Sequence, residues 1–312
     1  MLYVGTRKGE VKAVNLSNPD NPRVAWKFGE DLEAVYAAPR VSEGTVYIGA
    51  YNGKLYALDA EKGWRKWAYS TDGPIVGGPE VAAGLALFGS SDGRFYALGA
   101  EGGELRWEFE AGARIWCTPA VDSERIYFGS LNHRFYALDI KTGKLLWEKE
   151  FQAAVLSSPT VVEGRVYVGT LEGELHALDC RDGSVIWSFK AGNWFWSRPL
   201  VEGGMVYAGS LDHKLYALDA QTGHDRWFFE TQGLLHSSPV MAEGILVVAS
   251  EDGRAYGLDP QTGRKVWEVD LGSPILANPW VEGGRVYLMS QDNELHALEA
   301  KTGVRIFSLP LE

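Results

Sequence analysis

Seven residues of this chain combine partner-binding side chains with positions that break an otherwise regular pattern. They are Tyr36, Arg114, Trp116, Trp194, Trp196, Arg198 and His236. Indole and phenol rings supply large, rigid contact area, and a guanidinium presents a planar fork that stacks on rings and receives carboxylates. That is the chemistry of recognition. Candidates for bond-breaking chemistry are sparse: no zinc triad, phosphate loop or haem-attachment Cys-x-x-Cys-His occurs. Two cysteines, Cys117 and Cys180, make neither a disulfide framework nor a four-ligand zinc site.

The pattern that these residues interrupt is Leu-Tyr-Ala-Leu-Asp-x-x-Thr-Gly-x-x-x-Trp. Its Trp recurs every 40 residues at Trp67, Trp107, Trp147, Trp187, Trp227 and Trp267. Trp26 starts the series one residue out of step and Phe307 takes the Trp place at the end, so eight copies fill the chain. In the fifth copy four strands can be read: Val155 to Val162, Arg165 to Thr170, Glu174 to Asp179 and Ser184 to Phe189. β-Branched and aromatic residues dominate each run, Gly or Asp punctuates the ends, and no segment holds a helical period. The runs are apolar on both faces, so each sheet is covered on two sides. The expected fold is therefore all-β, an eight-bladed β-propeller of four-stranded antiparallel blades forming a single domain over residues 1–312.

Local roles follow from residue types. The Asp of each turn accepts backbone N–H bonds and the Gly supplies a positive φ. Glu299 and Gly99 replace that Asp in two copies, so it serves the turn and not catalysis. Each Trp is expected to lie across the neighbouring blade, where residues of the Ala177 and Gly183 type leave room. His133, His213 and Asn293 stand in the Gly place of another turn and suit a left-handed backbone. His176 and His296 take a Tyr place and read as packing residues; His224 reads as solvated.

The motif Ala-x-Asp-x-x-Thr-Gly-x-x-x-Trp, as in Ala137, Asp139, Thr142, Gly143 and Trp147, resembles the tryptophan-docking motif of the pyrroloquinoline-quinone (PQQ) repeat family. Ala217, Asp219, Thr222, Gly223 and Trp227 carry it again. The resemblance implies a propeller. It leaves activity open among quinoprotein dehydrogenases, the scaffold lipoprotein of the outer-membrane β-barrel assembly machine, and kinase sensor domains. The dehydrogenases of this family hold their quinone against adjacent cysteines and a calcium ion. Cys117 and Cys180 are not adjacent and no calcium-ligand cluster is visible, so neither enzyme activity nor a cofactor is expected.

Two irregularities remain. Pro39, Pro79, Pro119, Pro159, Pro199, Pro239 and Pro279 mark only seven first strands, so the first blade is expected to lack its inner strand. The first residues already read as a strand with no signal peptide before them, which suggests a start within a longer precursor. Three residues before each Pro, on the strand expected to line the channel, stand Tyr36, Val76, Trp116, Leu156, Trp196, His236 and Leu276. Arg114 and Trp194 lie nearer the upper rim, and Arg198 precedes Pro199. The alternatives are rings that plug the channel and an upper funnel that binds a partner.

The net charge of −11 argues against a nucleic-acid partner, and no apolar run reaches the length of a membrane span. The expected function is a monomeric, non-catalytic scaffold that binds a protein, peptide or small ligand. A sensor domain cut from a larger receptor and a PQQ-dependent dehydrogenase are the alternatives. The family resemblance implies a periplasmic or extracellular location if a signal has been removed.

Overall fold

The computed structural model describes residues 1–18, 21–30 and 32–311. Among the described residues there is no helix, and thirty-one strands form eight antiparallel sheets in sequence order. The first sheet has three strands, Leu2–Gly5, Val11–Asn15 and Arg23–Phe28, and each of the other seven has four. The fold is an eight-bladed β-propeller whose first blade lacks the inner strand. The chain divides into two compact units, Met1–Val161 with Cys180–Gly183, and Val162–Asp179 with Ser184–Glu312.

Each blade is a meander. In the fourth, Arg125–Gly129 pairs with Arg134–Asp139, which pairs in turn with Leu145–Glu150. The Glu-Gly hairpins close because both central residues take positive φ, 50° at Glu163 and 74° at Gly164. In the Asp-x-x-Thr-Gly turn, Asp139 Oδ1 accepts from the N–H of Lys141 at 3.1 Å and of Thr142 at 2.8 Å, and from Thr142 Oγ1 at 2.7 Å. These bonds hold its carboxyl below the usual carboxylate range. Where the copy carries Gly99, the Glu104 carboxylate fills the space that a side chain there would need.

Apolar clusters lie between successive blades, so the core is a series of blade-to-blade seams. The docking Trp closes each seam at its outer end. Trp147 Nε1 donates to the carbonyl of Cys180 at 3.0 Å, and Trp187 Nε1 to that of Ala220 at 3.0 Å. A Cβ on Gly183 would stand 2.5 Å from the Trp147 ring, and one on Gly223 would meet Trp187 at 2.6 Å. The neighbouring copy thus contributes the turn Gly. The small Ala lies in the Trp's own blade, where Ala137 is cross-strand from Trp147 and Ala177 from Trp187.

Inner strands are shorter than expected. The segment read as Val155 to Val162 is a strand only over Thr160–Val162. The residues before the inner strands bond outside the ladder. Val155 N–H donates to the Ser130 carbonyl of the preceding blade. Before Ala120–Val121, Ile115 N–H donates to Ser90 of the preceding blade, while the Arg114 carbonyl accepts from Leu131 N–H in a turn of its own blade. The Pro at the junction has no N–H with which to extend the ladder.

Candidate partner-binding surface

Tyr36, Arg114, Trp116, Trp194, Trp196, Arg198 and His236 therefore lie on the segments leading into the inner strands, and not on the strands themselves. Their backbone is nevertheless firmly held. The residue before each of Tyr36, Trp116, Trp196 and His236 is buried against a glycine of the preceding blade: Val35 over Gly5, Ile115 over Gly89, Phe195 over Gly169, Leu235 over Gly209. A hydrogen-bonded belt adds to this just before Pro. Gly78 N–H donates to Thr118 Oγ1 at 2.9 Å, and Thr118 N–H to Ser158 Oγ at 3.0 Å. In the second unit Arg198 N–H donates to Ser238 Oγ at 3.1 Å and Ser238 N–H to Asn278 Oδ1 at 2.7 Å. With its neighbours pinned inward on both sides, the intervening ring is directed away from the seam.

In the first unit, Tyr36 is 56% exposed and meets Tyr51 edge-on, with ring centroids 5.8 Å apart. Trp116 is half-buried; its Nε1 donates to Ser91 Oγ at 2.9 Å. The guanidinium of Arg114 lies over that indole, 5.9 Å from its centroid, and Arg114 also lines an open groove of about 380 Å³ with Ser91, Asp92 and Leu131. Asp92 is occupied elsewhere: it accepts from Arg94 N–H at 2.9 Å and from the Tyr96 hydroxyl at 2.8 Å. The groove therefore presents a stacked cation with no carboxylate in ion-pair range of it among the described residues.

In the second unit, Trp194 is 43% exposed and Trp196 37%. Trp196 meets the ring of His236 edge-on at 5.7 Å, and His236 Nε2 lies 3.2 Å from Glu251 Oε1. Burial pushes the His236 imidazole down from its ordinary value, against the opposing pull of Glu251. Arg198 is half-buried.

The remaining histidines serve structure. His133, His213 and Asn293 hold φ of 70°, 72° and 64°, the left-handed turn role expected of them. His176 and His296 are buried and bond Ser188 and Ser308 through Nδ1, each at 2.7 Å, and His224 is exposed. Four exposed aromatics escaped the sequence reading: Trp64, Phe228, Tyr51, and Trp280 at 56% exposure on an inner strand. All four break their column of the repeat: Tyr51 aligns with Ser91 and Leu131, Trp64 with Glu104 and Lys144, Phe228 with Glu148 and Ser188, and Trp280 with Leu200 and Val240. Applying the same test to every column would have found them.

The family described as outer membrane protein assembly factor BamB matches this sequence over residues 7–115, 112–173, 160–236 and 229–310. The chain belongs to that family. No curated protein matches it. Among solved structures, BamB from Moraxella catarrhalis is 22% identical with a TM-score of 0.79, covering 92% of this chain and 88% of that one. The computationally designed Ika8 protein is 15% identical with a TM-score of 0.82, covering 97% and 91%. A europium-containing methanol dehydrogenase is 16% identical with a TM-score of 0.77, covering 95% and 80%. At these identities the likenesses establish the propeller shared by this BamB-family chain and an enzyme alike. Among the described residues, no three His, Cys, Asp or Glu side chains gather as a metal site.

Proposed function

We infer that this BamB-family chain is a non-catalytic docking propeller, binding a protein partner of outer-membrane assembly on the periplasmic side of that membrane. The observation that carries the reading is asymmetry. Tyr36, Trp116 and Trp196 reach solvent from positions where other copies carry plain Val76, Leu156 and Leu276, and Trp194 from one where other copies carry Pro74, Ala154 and Leu234. Residues that only stabilise a repeat recur in every copy, whereas anchors of a single partner do not. Trp, Tyr and Arg are also the types that dominate interface energetics.

A rigid frame beneath them supports the same reading. Each anchor is fixed through its neighbours, so little ordering entropy is lost on binding. The Arg114 guanidinium, stacked on Trp116 and open to the groove, suits a partner carboxylate. For quinone chemistry the residues fit poorly. Cys117 sits in the segment before Pro119 and Cys180 in the turn that receives Trp147, so no pair of adjacent cysteines is available.

Affinity capture tests the reading: the immobilised chain should retain the detergent-solubilised outer-membrane β-barrel assembly machine. Failure to retain it, or alcohol oxidation after addition of PQQ and calcium, would remove the basis for a docking role.

A further inference from the structure

Charge is unevenly distributed along the chain. Residues 1–70, which form the first two blades, carry 10 basic and 8 acidic side chains, whereas residues 71–312 carry 20 basic and 33 acidic. The first two blades are thus slightly positive within a chain whose net charge is −11. Within them the run Lys62-Gly63-Trp64-Arg65-Lys66-Trp67 places three cations around an indole; of these, Arg65 is ion-paired with Glu30 at 2.5 Å.

Trp64 does not belong to the docking series. It follows the turn Gly, where other copies carry Glu104, Lys144, Ser184, His224, Arg264 and Val304. At 67% it is the most exposed of the large apolar side chains among the described residues. The backbone beneath it is fixed: Gly63 has φ of 71° and packs under Trp26, whose Nε1 donates to Ala60 at 3.0 Å. The Asp59 carboxylate is spent on the turn, accepting from the N–H of Glu61 and of Lys62. The Lys62 ammonium lies 4.7 Å from the Trp64 ring centroid, and the Lys66 ammonium donates to Thr45 Oγ1 at 2.7 Å. A rigid turn therefore projects an amphipathic ring with cations at its rim.

We propose that the Trp64 turn docks on the surface of a bilayer rich in anionic phospholipid, the indole entering the headgroup layer and Lys62 and Lys66 meeting lipid phosphate. Trp and Lys share this depth because each has an apolar body and a polar end. Anionic headgroups attract the basic sector and repel the acidic remainder, so the surface also orients the molecule. Glu61 and Glu43 flank the turn, so the attraction is modest and sensitive to salt. This inference is independent of the partner-binding surface described above.

Co-sedimentation of the full chain with phosphatidylglycerol–phosphatidylethanolamine vesicles, and with phosphatidylcholine vesicles, tests it at low salt. Binding to the anionic vesicles is expected to fall about tenfold in Trp64→Ala and in Lys62→Glu, and to weaken similarly on raising the salt. Phosphatidylcholine vesicles should sediment little protein. Because Trp64 is exposed, the thermal midpoint of Trp64→Ala should match wild type, and capture of the assembly machine should be unchanged. Equal binding to both vesicle types, or undiminished binding by Trp64→Ala, overturns the proposal. Absent vesicle binding, with a loss of machine capture in Trp64→Ala, would assign the turn to a protein contact instead.

Discussion

The indole N–H of Trp147 donates to the carbonyl oxygen of Cys180 at 3.0 Å, and Gly183 of the same turn lies flat beneath the ring. The Tyr127 hydroxyl reaches that carbonyl as well, at 3.4 Å. One turn is therefore gripped by two rings of the preceding blade. Trp147→Ala should cost about 3–5 kcal/mol, read as a lowered urea midpoint. Trp64→Ala, at an exposed site, should stay within about 0.5 kcal/mol of wild type.

Gly183→Ala tests the same contact from below. The added Cβ would stand 2.5 Å from the Trp147 ring at a φ of 71°. Overpacking and the left-handed backbone together should destabilise by about 2–4 kcal/mol in the same unfolding measurement. Gly164→Ala has an equally left-handed φ but nothing within 4 Å, so it should lose only the backbone part.

His133 separates a turn role from a ligand role. At φ of 70° its backbone suits Gly or Asn and strains a β-branched residue. His133→Asn should leave the thermal midpoint close to wild type, whereas His133→Val should cost about 1–2 kcal/mol. A loss in both variants would mean that the imidazole itself is needed.

Two histidines tie stability to pH. Burial lowers the pKa of both His236 and His296 below their unfolded values, outweighing Glu251 and Glu294 nearby. The unfolded chain therefore binds protons first as pH falls, so their contribution is complete above about pH 6.5 and is lost progressively below it. His296 bonds Ser290 at 2.9 Å and Ser308 at 2.7 Å, bonds that Gln can partly replace. Urea midpoints should fall between pH 7 and pH 5, and His296→Gln should show a shallower fall.

Much of the fold is legible because each docking Trp, turn Asp and turn Gly answers a local demand that recurs every 40 residues. The inner strands are harder to read. Ile115 and Cys117 are buried on either side of half-buried Trp116, the alternation of a strand, yet their segment is not strand. Pattern reports which side chains are buried and is silent on where the N–H and C=O groups go. The solvent-facing anchors were legible as exceptions to the repeat. Their partners were not: Tyr51 beside Tyr36, Ser91 beneath Trp116 and Glu251 beside His236 are brought together only by the fold.

The most direct test of the docking account is the Trp116→Ala/Trp196→Ala double variant, measured for capture of the solubilised assembly machine and for thermal unfolding. Truncated interface anchors often cost 2 kcal/mol or more each, so binding should fall by more than about 100-fold. The thermal midpoint should move little, since neither ring is fully buried. A lowered midpoint with undiminished capture would show that these rings only fill space in the propeller, and would contradict the account.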